Sequence, residues 1–102
     1  MTFAKMISDA RKQAGLSQKE LTARIVKEDG TPISPQYLND LEHDRRNPPG
    51  THMLKQFAEV LAIDYDELSF AANQYPEDWT AQQHSPEKIR AAFQAFRKEL
   101  KK

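Results

Sequence analysis

The 102-residue sequence contains no cysteine. That excludes a disulfide framework and a thiolate zinc site, and it fits a reducing compartment. Glycine is scarce, with three in the chain, and none stands in the spaced pattern whose backbone cradles a phosphate. A nucleotide-binding loop is therefore not expected. No apolar run approaches membrane-spanning length and no leader is visible, so the chain is expected to be soluble and cytoplasmic, with no membrane partner. Strand signals are missing too, since apolar and polar residues nowhere alternate over any length. His43, His52 and His84 lie far apart, with no HExxH pattern, so no metal site is expected. Asp64, Asp66 and Glu67 open a helix, where the macrodipole favours negative charge, and need no catalytic role. No cofactor is implied, and an enzyme is the least expected class.

One sign of net charge is also missing, because fifteen basic side chains meet fifteen acidic ones. The balance is segregated, however. Residues 1–27 carry six Lys/Arg against two acids, residues 81–102 again six against two, and residues 28–80 three against eleven. A neutral total weakens long-range attraction to a polyanion but leaves room for a local basic face.

What the chain does contain is a succession of helix signals. Phe3, Ile7, Ala10 and Ala14 recur at helical spacing before Gly15, placed as a left-handed stop. Ser17 and Glu20 form a capping box for a second helix, expected to run to about Lys27 and to bury Leu21, Ile25 and Leu16. Glu28 to Ile33 reads as a turn around Asp29-Gly30, closed to helix by Pro32. Ser34 as cap and Pro35 at the first position then start a third helix reaching about His43. Thr51 is expected to cap a fourth helix with Leu54, Phe57, Ala58 and Leu61 inward. Asp64 and Glu67 cap a short fifth, carrying Leu68, Ala71 and Ala72 inward. The expected fold is all-α: a five-helix domain over residues 1–73, followed at 74–102 by a polar connector, with Tyr75 and Trp79 available to pack on the domain, and one more amphipathic helix.

In that last helix Ile89, Phe93, Phe96 and Leu100 are spaced four, three and four, a heptad-like seam two repeats long. Three readings are open: a sixth core helix folded back on its own domain, a dimer seam, or a surface for a different protein. Two heptads are too short for an isolated coiled coil, so a dimer needs support from Tyr75, Trp79 or the fifth helix.

The third helix is the most informative element. Leu38 and Leu41 lie on one side, and Gln36, Asn39, Asp40 and His43 form a polar outer surface of hydrogen-bonding side chains. Arg45, Arg46, Asn47 and two prolines follow directly. An amide-bearing helix face with a paired-arginine turn suits a major groove read by side chains and flanked by phosphates.

Gly15-Leu16-Ser17-Gln18, Leu21, Tyr37-Leu38, Glu42, the Arg-Arg-Asn-Pro turn and Phe57-Ala58 with Leu61 occur together and in order. Over about residues 4–72 this resembles the Cro/cI-type helix-turn-helix transcriptional regulators, the XRE family. The resemblance implies a DNA-binding regulator of double-stranded DNA, bacterial and nucleoid-associated when bound, and a homodimeric repressor on an inverted repeat. A toxin-neutralising version using residues 74–102, or an interaction module without DNA binding, are the alternatives. By the same resemblance, Pro35, Gln36, Asn39 and Asp40 would face base edges, with Gln36 as the first reader. Ser17, Gln18, Ser34, Tyr37, Arg45, Arg46 and Asn47 would meet phosphates. Arg11 and Glu42 would form a structural ion pair joining the first helix to the third. Three departures stand out: a connection between the second and third helices longer than usual by about six residues, Asp44 in place of a common glycine, and Thr22 in place of a small alanine. Asp44 tolerates the left-handed backbone that the turn requires.

Overall fold

Side-chain caps set most of the helix boundaries. The computed structural model describes residues 2–102, and among them the helices are α1 (Phe3–Gln13), α2 (Gln18–Thr22), α3 (Pro35–Glu42), α4 (Thr51–Leu61), α5 (Tyr65–Ala71), α6 (Glu77–Thr80) and α7 (Pro86–Leu100). Thr2, Ser17, Ser34, Asp64 and Ser85 each accept a backbone N–H from the first turn of the adjoining helix, a contribution of roughly 1 kcal/mol per cap. The capping box of α2 is complete, since Glu20 reaches back to the Ser17 N–H at 2.9 Å. Gly15 ends α1 at φ +71° and Asp44 comes after α3 at φ +59°, as the sequence implied. At α4 the expectation fails: Gly50, not Thr51, is the cap, and it offers no side-chain bond.

The long connection between α2 and α3 also differs from expectation. α2 stops at Thr22 rather than near Lys27. The Thr22 hydroxyl donates to the Lys19 carbonyl at 3.0 Å, and the next N–H groups, Arg24 and Ile25, reach back only three residues. Such competition with the helical ladder tightens and ends a short helix. The Gln56 amide of α4 then holds Val26 from both sides, accepting its N–H at 2.8 Å and donating to its carbonyl at 2.9 Å. From Val26 the chain turns through a small hairpin, with Val26 and Pro32 paired in an isolated antiparallel bridge. At its tip the Asp29 carboxylate accepts from the Thr31 N–H and hydroxyl, which holds Asp29 below the usual carboxylate range. The insertion is thus ordered, and Ile33 at its end is buried.

α1 and α2 pack on α3, while α4 lies against α1 and α5. Ile7, Leu21, Ile25, Leu38, Leu54, Phe57 and Leu68 are fully buried at the centre. Ala72 is buried and Ala71 and Leu16 partly so, whereas Ala14 is exposed just before the Gly15 stop. The connector is anchored at its start. Gln74 donates to the Pro49 carbonyl at 2.7 Å, Pro76 is buried, and Lys55 pairs with Glu77. Tyr75 and Trp79 do not enter the core; they stack on each other and remain about half exposed.

α7 is not a sixth core helix, for it contains no buried residue. Phe96 meets Phe70 of α5 at 5.7 Å and Trp79 at 6.3 Å, and Phe93 meets Tyr75 at 6.1 Å. These edge contacts hold the helix beside the domain without enclosing it. The radius of gyration, 15.4 Å, exceeds the roughly 13 Å of a compact 100-residue chain accordingly.

Candidate nucleic-acid interface

α3 buries Leu38 and Leu41 and turns Pro35 and Gln36 to solvent, with Asn39 and Asp40 half-buried along the same outer side. The base-reading set inferred from the sequence therefore shares one helix surface. Within it, Gln36 donates its Nε2 to Asp40 Oδ1 at 3.0 Å, and the Arg45 guanidinium lies 3.6 Å from the same oxygen. The Arg45 N–H also donates to the Asp40 carbonyl at 2.8 Å. The carboxylate on this face is thus partly balanced by its own chain, which reduces its repulsion of phosphate. Gln36 gives one amide hydrogen to Asp40, which leaves its second donor and its acceptor oxygen for a base edge.

The phosphate set falls into two groups. Arg45, Arg46 and Asn47 are exposed on the turn after α3. Arg46 lies over the Tyr37 ring, 5.1 Å from its centroid, so these two residues come together although no helical spacing links them. Burial pushes the Tyr37 hydroxyl up, and the Arg46 charge works against that rise. Ser34 and Ser17 both spend their side chains on capping, accepting from Tyr37 and Glu20 N–H respectively. Gln18 turns inward: its Nε2 donates to Asn39 Oδ1 at 3.2 Å and to Glu42 Oε1 at 3.1 Å. Any contact it makes with an anion falls to its backbone N–H at the start of α2.

Beneath this surface lies a polar clamp. Arg11 donates through Nε to Glu42 Oε2 at 2.7 Å and through Nη2 to Oε1 at 2.9 Å, a two-pronged pair, and through Nη1 to the Leu16 carbonyl at 2.9 Å. The hydrogen bond to Glu42 raises the Arg11 guanidinium further above its ordinary value, against the opposing effect of burial. Glu42 is 3% exposed and Arg11 12%, so little water competes. The Glu42 carboxylate ties α1 and α2 to α3 while Arg11 also holds the α1–α2 turn through Leu16, fixing the angle at which α3 is presented. The sequence pointed to the Arg11–Glu42 pair. It did not point to Gln18 joining it, to the Gln36–Asp40–Arg45 chain, or to Gln56 holding the insertion; of these only Gln36–Asp40 had a signal, their four-residue spacing.

Two short packed helices, the second capped, exposed along one polar face and followed by a cationic turn, define a helix-turn-helix DNA-binding module. A helix-turn-helix family model matches residues 7–68, well over half of the chain. The chain belongs to this family, the Cro/cI-type or XRE regulators, whose members are DNA-binding transcription regulators. No curated protein and no solved structure matches it. Among the described residues, no helix is long and apolar enough to cross a membrane.

Proposed function

We propose that the chain is a repressor that binds an inverted repeat as a homodimer in the cytoplasm, with the α3 of each copy in the major groove of one half-site. The observation that carries this is the α3 surface, where Pro35 and Gln36 are exposed, Asp40 is balanced by Arg45, and Arg46 flanks the reading face. Gln36 reads a base edge with its side-chain amide, Asn39 and Asp40 lie beside it, and Arg45, Arg46 and Asn47 grip the backbone. Residues 1–73 bind DNA, and residues 74–102 bring the second copy. Repression follows from occlusion, because two half-sites about one DNA turn apart cover a stretch that polymerase needs. A toxin-neutralising variant would use the same exposed segment, and the opposite charges at the two ends of α7, Lys88 and Glu99, favour a second copy there.

Enrichment of bound duplexes from a random library is the direct test. The expected product is an inverted repeat with half-sites about 10 base pairs apart centre to centre. Enrichment of single unpaired half-sites would remove the homodimer from the reading, and no enrichment at all would remove the sequence-specific regulator.

A further inference from the structure

α7 carries two parallel stripes. Ile89, Phe93, Phe96 and Leu100 form one, and of these Phe93 and Phe96 meet Tyr75, Trp79 and Phe70. Beside them runs a second stripe with the same four-three-four spacing, Lys88, Ala92, Ala95 and Glu99. All four of its residues line an open groove of 580 Å³, together with Ile89, Phe93 and Phe96 of the first stripe and Trp79 and His84 of the connector. Arg90, Arg97 and Lys101 fall on the opposite side of the helix by the 100° step per residue, and Lys98 lies about a quarter turn from the stripe. Arg90, Arg97 and Lys101 therefore point away from the groove, a helix diameter of about 10 Å from whatever fills it and near the screening length of physiological salt.

The second stripe is self-complementary. Its two ends bear opposite charges about 16 Å apart along the axis, and its middle is two alanines. A two-fold operation through a point between Phe93 and Gln94 exchanges Lys88 with Glu99 and Ala92 with Ala95. In a parallel pair, by contrast, Lys88 would face Lys88 and Glu99 would face Glu99.

We propose that the groove-lining face of α7 is the contact between two copies of this chain, which pair α7 to α7 antiparallel, with Lys88 of each copy opposite Glu99 of the other. This rests on the homodimer reading and gives it a geometry. The alanines let the two helices approach closely, so that Ile89 and Phe96, exposed at 45% and 39% in the single chain, cover one another's flanks. Glu99 is bonded in the single chain to Lys102 at 2.8 Å, with both side chains about 70% exposed, a weak pair that exchanges readily for Lys88 of the second copy. A two-fold contact of this kind uses each interaction twice and closes on itself, so it stops at a dimer. The aromatic cluster behind α7 supplies the support that two heptads lack alone.

The test is sedimentation of the full chain at low salt, with Lys88→Glu, Glu99→Lys and the double variant Lys88→Glu/Glu99→Lys. All three changes lie on an exposed helix, and far-UV circular dichroism checks that it persists. The wild type sediments at twice 11.7 kDa. Each single variant weakens the dimer by roughly tenfold or more, since two attractions become two repulsions at once, and the double variant returns to within about threefold of the wild type. A monomeric wild type, single variants that match it, or a double variant that stays weak would each overturn the pairing. Because the chain has no cysteine, direction is read separately: a mixture of Lys88→Cys and Glu99→Cys chains cross-links on oxidation, and efficient cross-linking of Lys88→Cys alone would overturn the antiparallel order. A monomer that still selects specific duplex sites sinks this pairing and spares DNA reading; a dimer without affinity for duplex DNA supports the pairing and sinks the DNA reading instead.

Discussion

Gln36 holds the centre of the reading face through a bond the sequence alone did not foretell. Its amide is oriented by Asp40, which is itself balanced by Arg45. With one amide hydrogen held by Asp40, Gln36 still offers the other together with its oxygen to an adenine edge, or the oxygen alone to a base amino group. Either way its contribution lies in base discrimination, because the side chain carries no charge for phosphate. Replacing Gln36 with Ala is therefore expected to weaken the selected duplex by about 1–3 kcal/mol, roughly 5- to 150-fold, while leaving random duplex nearly unchanged. Competition binding with the two duplexes measures both losses, and equal loss on each would remove Gln36 as a reader.

The elements are coupled by polar contacts more than their short lengths suggest. α3 has eight residues and α2 five, too few to be stable alone, so their angle depends on what they touch. Glu42 collects Arg11 from α1 and Gln18 from α2. Glu42→Ala would leave the Arg11 guanidinium with the Leu16 carbonyl as its remaining partner. Because Arg11 keeps an edge to water, the expected cost is about 2–3 kcal/mol, under the roughly 3–5 kcal/mol of a fully enclosed pair. For a domain of this size that lowers Tm by about 10 °C or more, and an unchanged melt would refute the clamp. Most helix starts were legible in the sequence because caps are local: Ser17, Ser34 and Asp64 act on N–H groups three residues away. The end of α2 was not legible. It follows from the Thr22 hydroxyl bonded to the Lys19 carbonyl and from Gln56, thirty residues on, whose amide holds Val26 in the insertion. Periodicity carries no trace of such a contact.

At the scale of the whole molecule, the zero net charge resolves into regions. The acidic middle of the chain contains the reading helix, yet Arg45 and Arg46 stand at its end, and both charge-rich termini are basic. The core was legible from spacing, since Leu54, Phe57, Ala58 and Leu61 are all buried as their pattern implied. The placement of α7 was not, because an apolar seam looks the same whether it faces its own domain or another molecule. Only its exposure in the folded chain separates the two. The central claim is that α3 and its arginine turn bind duplex DNA, and charge gives the most direct access to it.

That claim is tested by a salt titration of duplex binding by the wild type and the Arg45→Ala/Arg46→Ala variant. Affinity is expected to fall steeply with salt, and the logarithmic slope to shrink by roughly 2 per bound copy in the variant, about 0.9 for each lost phosphate contact. No binding at low salt, or a slope that the double substitution leaves unchanged, would contradict the account.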